Sequence, residues 1–138
     1  MSTSGDFNQG IIEEFRANHG LVGGGFNGAT LVILHTTGAK TGQARVNPLV
    51  SLTGTDGKLY IFASAAGAPS HPDWYRNLVA HPSVEVELGD ETFKATATPV
   101  TGKERDRVFA EQVAAMPGFA DYEAKTTRVI PVIELTRS

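Results

Sequence analysis

The stretch Leu31-Val32-Ile33-Leu34-His35-Thr36-Thr37-Gly38-Ala39-Lys40-Thr41-Gly42-Gln43-Ala44-Arg45-Val46-Asn47-Pro48-Leu49-Val50-Ser51-Leu52-Thr53-Gly54-Thr55-Asp56-Gly57-Lys58-Leu59-Tyr60-Ile61-Phe62-Ala63-Ser64 reads as three strands and two turns. Leu31 to Leu34 is continuously apolar, as in a strand buried on both faces, and His35 extends it. Gly38 to Gly42 is a glycine-bounded turn. From Ala44 to Thr53 the side chains alternate, with Val46, Pro48, Val50 and Leu52 on one face and Arg45, Asn47 and Ser51 on the other. Gly54-Thr55-Asp56-Gly57 is a strong hairpin signal, and Leu59 to Ser64 returns as the third strand.

The same rhythm continues downstream. Val84, Val86 and Leu88 alternate with Glu85 and Glu87, as in a strand with one wet face. Gly89-Asp90 turns the chain, and Phe93, Ala95 and Ala97 alternate with Thr92, Lys94, Thr96 and Thr98 in the partner strand. Val129 to Leu135 forms the last strand. Helices are expected before and between these strands. Phe7, Ile11, Ile12 and Phe15 recur at helical spacing from about Asp6 to Asn18, and His19-Gly20 stops that helix. Ser70 reads as the N-cap of a short helix carrying Trp74 and Leu78, which His81-Pro82 ends. Thr101-Gly102-Lys103-Glu104 reads as a capping box for a helix with Phe109, Val113 and Met116 on one stripe, stopped by Pro117-Gly118.

Six strands in hairpin-like succession and three helices predict a mostly β (α+β) domain: a six-stranded antiparallel barrel with flanking helices. The strand–helix alternation of a parallel sheet is missing. The 138 residues suit one domain spanning the chain, with the helix and a Gly-rich connector, residues 19–29, preceding the barrel.

Composition excludes several functions. There is no cysteine, hence no disulfide and no thiolate chemistry. A net charge of -3 gives no sign of nucleic-acid binding. The N-terminal residues carry no export signal, no run approaches a membrane span, and cytoplasmic residence is expected. His19, His35, His71 and His81 have no metal-binding spacing, so no metal is expected. No G-x-S-x-G elbow supports hydrolysis. The run Gly23-Gly24-Gly25-Phe26-Asn27-Gly28 matches G-x-G-x-x-G formally, but it follows a helix and precedes a strand, the reverse of a dinucleotide site.

Three clusters remain. In the turn from Gly38 to Gly42, two glycines let backbone N–H groups converge on an oxyanion, with Lys40, Thr41 and, on one strand face, Arg45 and Asn47 beside them. Taken alone, an ordinary exposed hairpin with a solvated lysine is the better reading. The segment Ser64 to Asn77 brings small residues that let a flat ring approach, then a helix N-terminus and Trp74, Tyr75, Arg76 and Asn77. Core packing explains Trp74 as well. In Met116-Pro117-Gly118-Phe119-Ala120-Asp121-Tyr122, two aromatic rings three residues apart form either a lid or core.

Together, Glu14-Phe15-Arg16-Ala17-Asn18, Thr36 to Gly42, Arg45-Val46-Asn47-Pro48-Leu49, Gly67-Ala68-Pro69-Ser70-His71-Pro72-Asp73-Trp74-Tyr75-Arg76-Asn77-Leu78 and Tyr122-Glu123-Ala124-Lys125-Thr126 resemble the deazaflavin-dependent nitroreductase and quinone reductase family, from about Ile11 to Leu135. The resemblance implies a split β-barrel of the FMN-binding type that binds coenzyme F420, whose tail carries a phosphodiester and several glutamates. It implies that Lys40, Thr41, Arg45 and Asn47 hold the phosphate region, with Val46 alongside. Pro48, Phe62, Ala63, Ser64 and Ala65 would flank the deazaflavin, and Asp73, Trp74, Tyr75, Arg76 and Asn77 would contact the tail or the ring edge. Val50, Met116, Phe119 and Tyr122 fall on the acceptor side.

The implied activity is hydride transfer from the reduced deazaflavin to a small-molecule acceptor: a quinone, a nitro compound or an activated alkene. Tyr122 is the candidate proton donor, and Ser64 a weaker candidate to hydrogen-bond the acceptor. Many relatives carry Arg where this chain has Ala39. Some that reduce bulky nitroaromatics carry tyrosines at the positions of Val50, Met116 and Phe119. Two alternatives stand beside this reading: an FMN-binding barrel, and a non-catalytic carrier of the deazaflavin or another flat amphiphile. The N-terminal helix is free to cover its own barrel, a second copy or a membrane surface, leaving monomer and homodimer open.

Overall fold

The computed structural model describes residues 3–18, 30–64 and 70–137, with side chains from residue 9 onward. The expected helix stop at His19-Gly20, the Gly-rich connector, Ala65 and Gly67-Ala68-Pro69 lie outside the described residues. Helix α1 spans Thr3–Ala17, and the strands are β1 (Thr30–Thr37), β2 (Ala44–Thr53), β3 (Leu59–Phe62), β4 (Ser83–Leu88), β5 (Glu91–Val100) and β6 (Val132–Arg137). Helix α2 is Asp73–Ala80, α3 is Gly102–Ala115 and α4 is Gly118–Lys125.

All pairings are antiparallel, and the strands close into a barrel in the order β1-β2-β3-β6-β5-β4. The expected barrel is therefore present, with four helices rather than three among the described residues: Pro117-Gly118 ends α3 and at once begins α4. Residues opposite each other in register share a face. Val32, Leu34, Leu49, Ile61, Val84, Val86, Ala95, Ala97, Ile133 and Leu135 pack in the interior. Trp74 and Leu78 of α2 join them and plug one end of the barrel.

The outer wall carries two further apolar layers. Tyr60, Phe62 and Val132 face Val108, Phe109 and Phe119 of α3 and α4. Leu31 and Ile33 lie under Ile11, Ile12 and Phe15 of α1. This is why β1 has no polar face: Val32 and Leu34 point inward and Leu31 and Ile33 outward beneath a helix.

Strand β2 inverts the usual expectation. Its apolar face is the outer one, where Val50 packs against both helical layers. Its polar face points inward, because Arg45 pairs with Thr36, Asn47 with Leu34 and Leu49 with Val32. The donors of β2 thus line the barrel end that α2 plugs.

Some local expectations are corrected. Pro72, not Ser70, occupies the N-cap of α2, and Ser70 lies two residues too early in the chain to cap it. Thr101 is the N-cap of α3 but its hydroxyl caps nothing, since Glu104 turns to Arg107 instead of closing the box. Strand β6 begins at Val132 rather than Val129, whose side chain is 70% exposed. Strand β3 ends at Phe62, and a single bond from Ala63 N–H to the Pro131 carbonyl prolongs the ladder. The outer face of β4 is not simply wet: Glu87 is only 13% exposed and pairs with Arg16 of α1 and His35 of β1.

Candidate cofactor and acceptor site

The β1–β2 turn is built by its own chain. Gly38 N–H donates to the Gln43 carbonyl at 2.8 Å, Gly42 N–H to the Gly38 carbonyl at 2.9 Å, and Gln43 N–H to Thr41 Oγ1 at 3.2 Å. Gly42 has φ +70°, and a Cβ on Gly38 would sit 2.6 Å from Thr41 Oγ1, so both positions demand glycine. Ala39 N–H donates to Asn77 Oδ1 of α2 at 3.0 Å, and Asn77 Nδ2 donates to Thr36 Oγ1 at 3.4 Å. Four N–H groups of the turn are therefore spent inside the protein. The donors of Gly38, Ala39, Gly42 and Gln43 are thus not available to converge on an oxyanion, which leaves Lys40 and Thr41 of the turn and the side chains beside them.

Those side chains surround a cleft of about 990 Å³ lined by Gly38, Ala39, Lys40, Thr41, Arg45, Asn47, Pro72, Asp73, Trp74, Arg76 and Asn77. Eight residues singled out from the sequence meet here, from the turn, β2 and α2. Lys40 and Arg45 have no carboxylate partner among the described residues, whereas Arg16, Arg76, Arg105, Arg107 and Arg137 are each paired. Two uncompensated cations facing one cleft fit a polyanionic ligand even on an acidic protein. Trp74 is buried in the barrel core, and one edge of it lines the cleft.

The other candidates lie elsewhere. Val46 and Pro48 stand on the outer face of β2, opposite His35 and Ile33. Ala63 is buried in the inner core, while Phe62 faces outward and meets Phe109 and Phe119 edge-on, at 6.2 and 5.8 Å between ring centres. Tyr75 turns away from the cleft toward His71, 4.9 Å between centres. Val50, Met116 and Tyr122 are half-buried at the margin of the outer layer, with Phe119 buried beside Tyr122 at 5.1 Å. The acceptor-side set is thus one cluster, distinct from the cleft.

Sequence reasoning missed Arg128, which lies between α4 and β6. Its guanidinium donates to the carbonyls of Ala63 at 2.9 Å and Ser64 at 2.6 Å, and lies 3.0 Å from His71 Nδ1. Burial lowers its pKa from the usual arginine value. Burial also lowers the pKa of His71, and the charges of Arg128 and Arg76 push it further the same way. Nothing near Arg128 in the sequence signals this role.

The chain is thus a closed antiparallel barrel plugged by a helix, with a cleft carrying Lys40 and Arg45 at the plug and an aromatic cluster on the outer wall. The family profile described as F420H2-dependent quinone reductase matches residues 10–137, and the chain belongs to that family. It is an oxidoreductase whose cofactor is coenzyme F420, and it transfers a hydride from the reduced deazaflavin to a quinone. An F420H2-dependent quinone reductase of Mycobacterium tuberculosis (strain ATCC 25618 / H37Rv) is 39% identical over 127 residues, covering 89% of this chain and 85% of the relative. Among solved structures, an F420-H2-dependent reductase, FDR-A, is 40% identical with TM-score 0.68, covering 76% of this chain and 92% of that one. Another, described as a domain-swapped dimer, is 35% identical with TM-score 0.70, covering 96% of this chain and 99% of that one.

Proposed function

We propose that the cleft beneath the Gly38–Gly42 turn holds the anionic tail of F420, and that the quinone approaches from the α4 side. The observation that carries this is the pair of uncompensated cations, Lys40 and Arg45, facing one cleft. Lys40 and Arg45 take the phosphodiester, and Thr41 and Asn47 add polar contacts. Asp73, Trp74, Arg76 and Asn77 line the path of the tail, with Tyr75 at its margin. With Ala39 in the turn, Lys40 carries more of the grip alone. Backbone at Val46, Pro48, Phe62, Ala63, Ser64 and Ala65 flanks the deazaflavin.

When bound, F420 supplies the hydride; the protein supplies binding, orientation and exclusion of water. Tyr122 holds its phenol at the edge of the outer cluster and delivers the proton, with Phe119 bracing its ring and Ser64 as a lesser hydrogen-bond partner. Val50 and Met116 complete an apolar wall suited to a flat quinone. Nitro compounds and activated alkenes small enough for this wall are further acceptors. Of the two oligomeric states, the homodimer is supported by the domain-swapped relative, and light scattering of the purified chain distinguishes them. Among the described residues no helix is long and apolar enough to cross a membrane. Residence in the cytoplasm is supported by the lack of cysteine, and a role apart from nucleic acid by the net charge of -3.

The test is a titration with F420 followed by quenching of Trp74, the single tryptophan. Lys40→Ala is expected to weaken binding about tenfold through loss of a charge-assisted contact. Unchanged affinity, or FMN displacing F420 at equal concentration, would refute the assignment.

A further inference from the structure

The carbonyls of Ala63 and Ser64 belong to the backbone proposed to flank the deazaflavin. His71 stands just ahead of α2, the helix proposed to guide the tail. Arg128 touches both, and its own backbone is fixed by a bond from its N–H to Thr126 Oγ1 at 3.3 Å, at the end of α4. Helix α4 in turn carries Phe119 and Tyr122. The guanidinium therefore ties the end of β3 to the entrance of α2, while the backbone N–H of the same residue holds it to the end of α4, the helix of the acceptor side.

We infer that Arg128 is a positioning residue for cofactor binding, locked in place by a neutral His71 that accepts its hydrogen bond, and that protonating His71 opens the clamp. The inference rests on the cofactor reading proposed above.

The chemistry is directional. A guanidinium only donates, so Nδ1 of His71 must be the accepting nitrogen and the proton sits on Nε2. A protonated imidazole has no acceptor left, and it would face Arg128 at 3.0 Å with Arg76 of α2 nearby. The other groups around His71 are Tyr75 of α2 and, across a small cavity of about 330 Å³, Arg105 and Asp106 of α3. Arg105 is already committed to the Ile130 carbonyl, Asp106 and Glu123, so nearby charge favours the neutral ring. Lysine at position 128 would keep the charge but lose the fork that spans two carbonyls.

The test is the dissociation constant for F420 between about pH 4.5 and 7.5, a window that reaches well below the ordinary histidine value, read by Trp74 quenching in the wild type, Arg128→Lys and His71→Asn. Binding by the wild type is expected to weaken as pH falls through the His71 pKa, which burial and the Arg128 and Arg76 charges hold below the ordinary histidine value of about 6.5, and to be about tenfold weaker once the ring is protonated. Arg128→Lys is expected to bind about tenfold more weakly at pH 7.5 and to show little further loss in acid. His71→Asn offers an oxygen acceptor that does not titrate, so its affinity is expected to be the same at both ends of the range. Wild-type affinity independent of pH, or an acid limb retained in His71→Asn, overturns the clamp. A wild type that binds no F420 at any pH overturns the cofactor reading and the clamp with it. Tight binding by all three proteins at every pH overturns the clamp alone. If Arg128→Lys fails to melt cooperatively, the His71→Asn profile decides.

Discussion

Asn77 connects the plug of the barrel to the cofactor turn, and its removal separates two effects. The side chain is buried, accepts from Ala39 N–H and donates to Thr36 Oγ1. In Asn77→Ala the exposed Ala39 N–H finds water, but the Thr36 hydroxyl is buried and loses its partner. Two neutral bonds and one stranded hydroxyl amount to about 2 kcal/mol. Alanine's better helix propensity returns about 0.5 kcal/mol, since Asn77 lies within α2. The net loss of about 1.5 kcal/mol corresponds to a Tm lower by about 5 °C for a domain of this size. Affinity for F420 should fall as well, because the turn carrying Lys40 is no longer held against α2. Asn77→Asp keeps an oxygen for Ala39 N–H and lets Thr36 donate, so its Tm should fall less than that of Asn77→Ala. It also places a carboxylate in the cleft beside Lys40 and Arg45, and should weaken F420 binding about tenfold further by repelling the tail. Thermal melts and the Trp74 titration, run on both variants, read the two effects. A melt of Asn77→Ala within about 1 °C of wild type would refute the structural half. Asn77→Asp binding F420 as tightly as Asn77→Ala would refute the electrostatic half.

Replacing Tyr122 by Phe is expected to lower quinone turnover at least about a hundredfold if the phenol delivers the proton, with little change in F420 affinity; unchanged turnover removes that role. Glu87 has its pKa lowered by the Arg16 bond first and by His35, against the opposing effect of burial. Its stabilisation is therefore complete above the usual glutamate value and is lost as pH falls through the lowered one. Denaturant unfolding from pH 7 down to pH 3 should show an acid decline in the wild type that Glu87→Gln flattens. At the β2–β3 hairpin, the Tyr60 hydroxyl donates to Asp56 at 2.6 Å, and that bond, with the Lys58 N–H and Arg107, holds the Asp56 carboxyl at about 2. Burial, then Asp56, pushes the Tyr60 phenol up to about 12. Tyr60→Phe should move the Asp56 titration toward the ordinary aspartate value, read by NMR; an unmoved Asp56 refutes the coupling.

What could be read in advance was whatever the chain decides locally. Gly54 to Gly57 closes a hairpin by contacts within itself, and the alternation through β4 and β5 follows the pleat. The barrel followed from those units. Features settled between distant residues were hidden. The capping box at Thr101 failed because Glu104 had a better partner in Arg107. That Asn77, thirty-eight residues from Ala39, takes one donor of the Gly38–Gly42 turn could not be read from the turn itself. Alternation divided β2 correctly into two faces, but only pairing with β1 shows that the polar one points inward. Arg128 was invisible for the same reason, since its partners lie 57 to 65 residues away.

The strand order carries a consequence for how the molecule is made. Strand β6 lies between β3 and β5 and comes after every other strand in the chain. Until it is synthesised, the β1-β2-β3 meander and the β4-β5 hairpin can join only through β1 and β4, leaving a sheet with two open edges. Those edges belong to β3, which bears Tyr60, Ile61 and Phe62, and to β5. During translation they are exposed to any unpaired strand nearby, including the same strands on a neighbouring nascent chain. A late-arriving staple of this kind makes the final strand the step that closes the barrel and covers both edges.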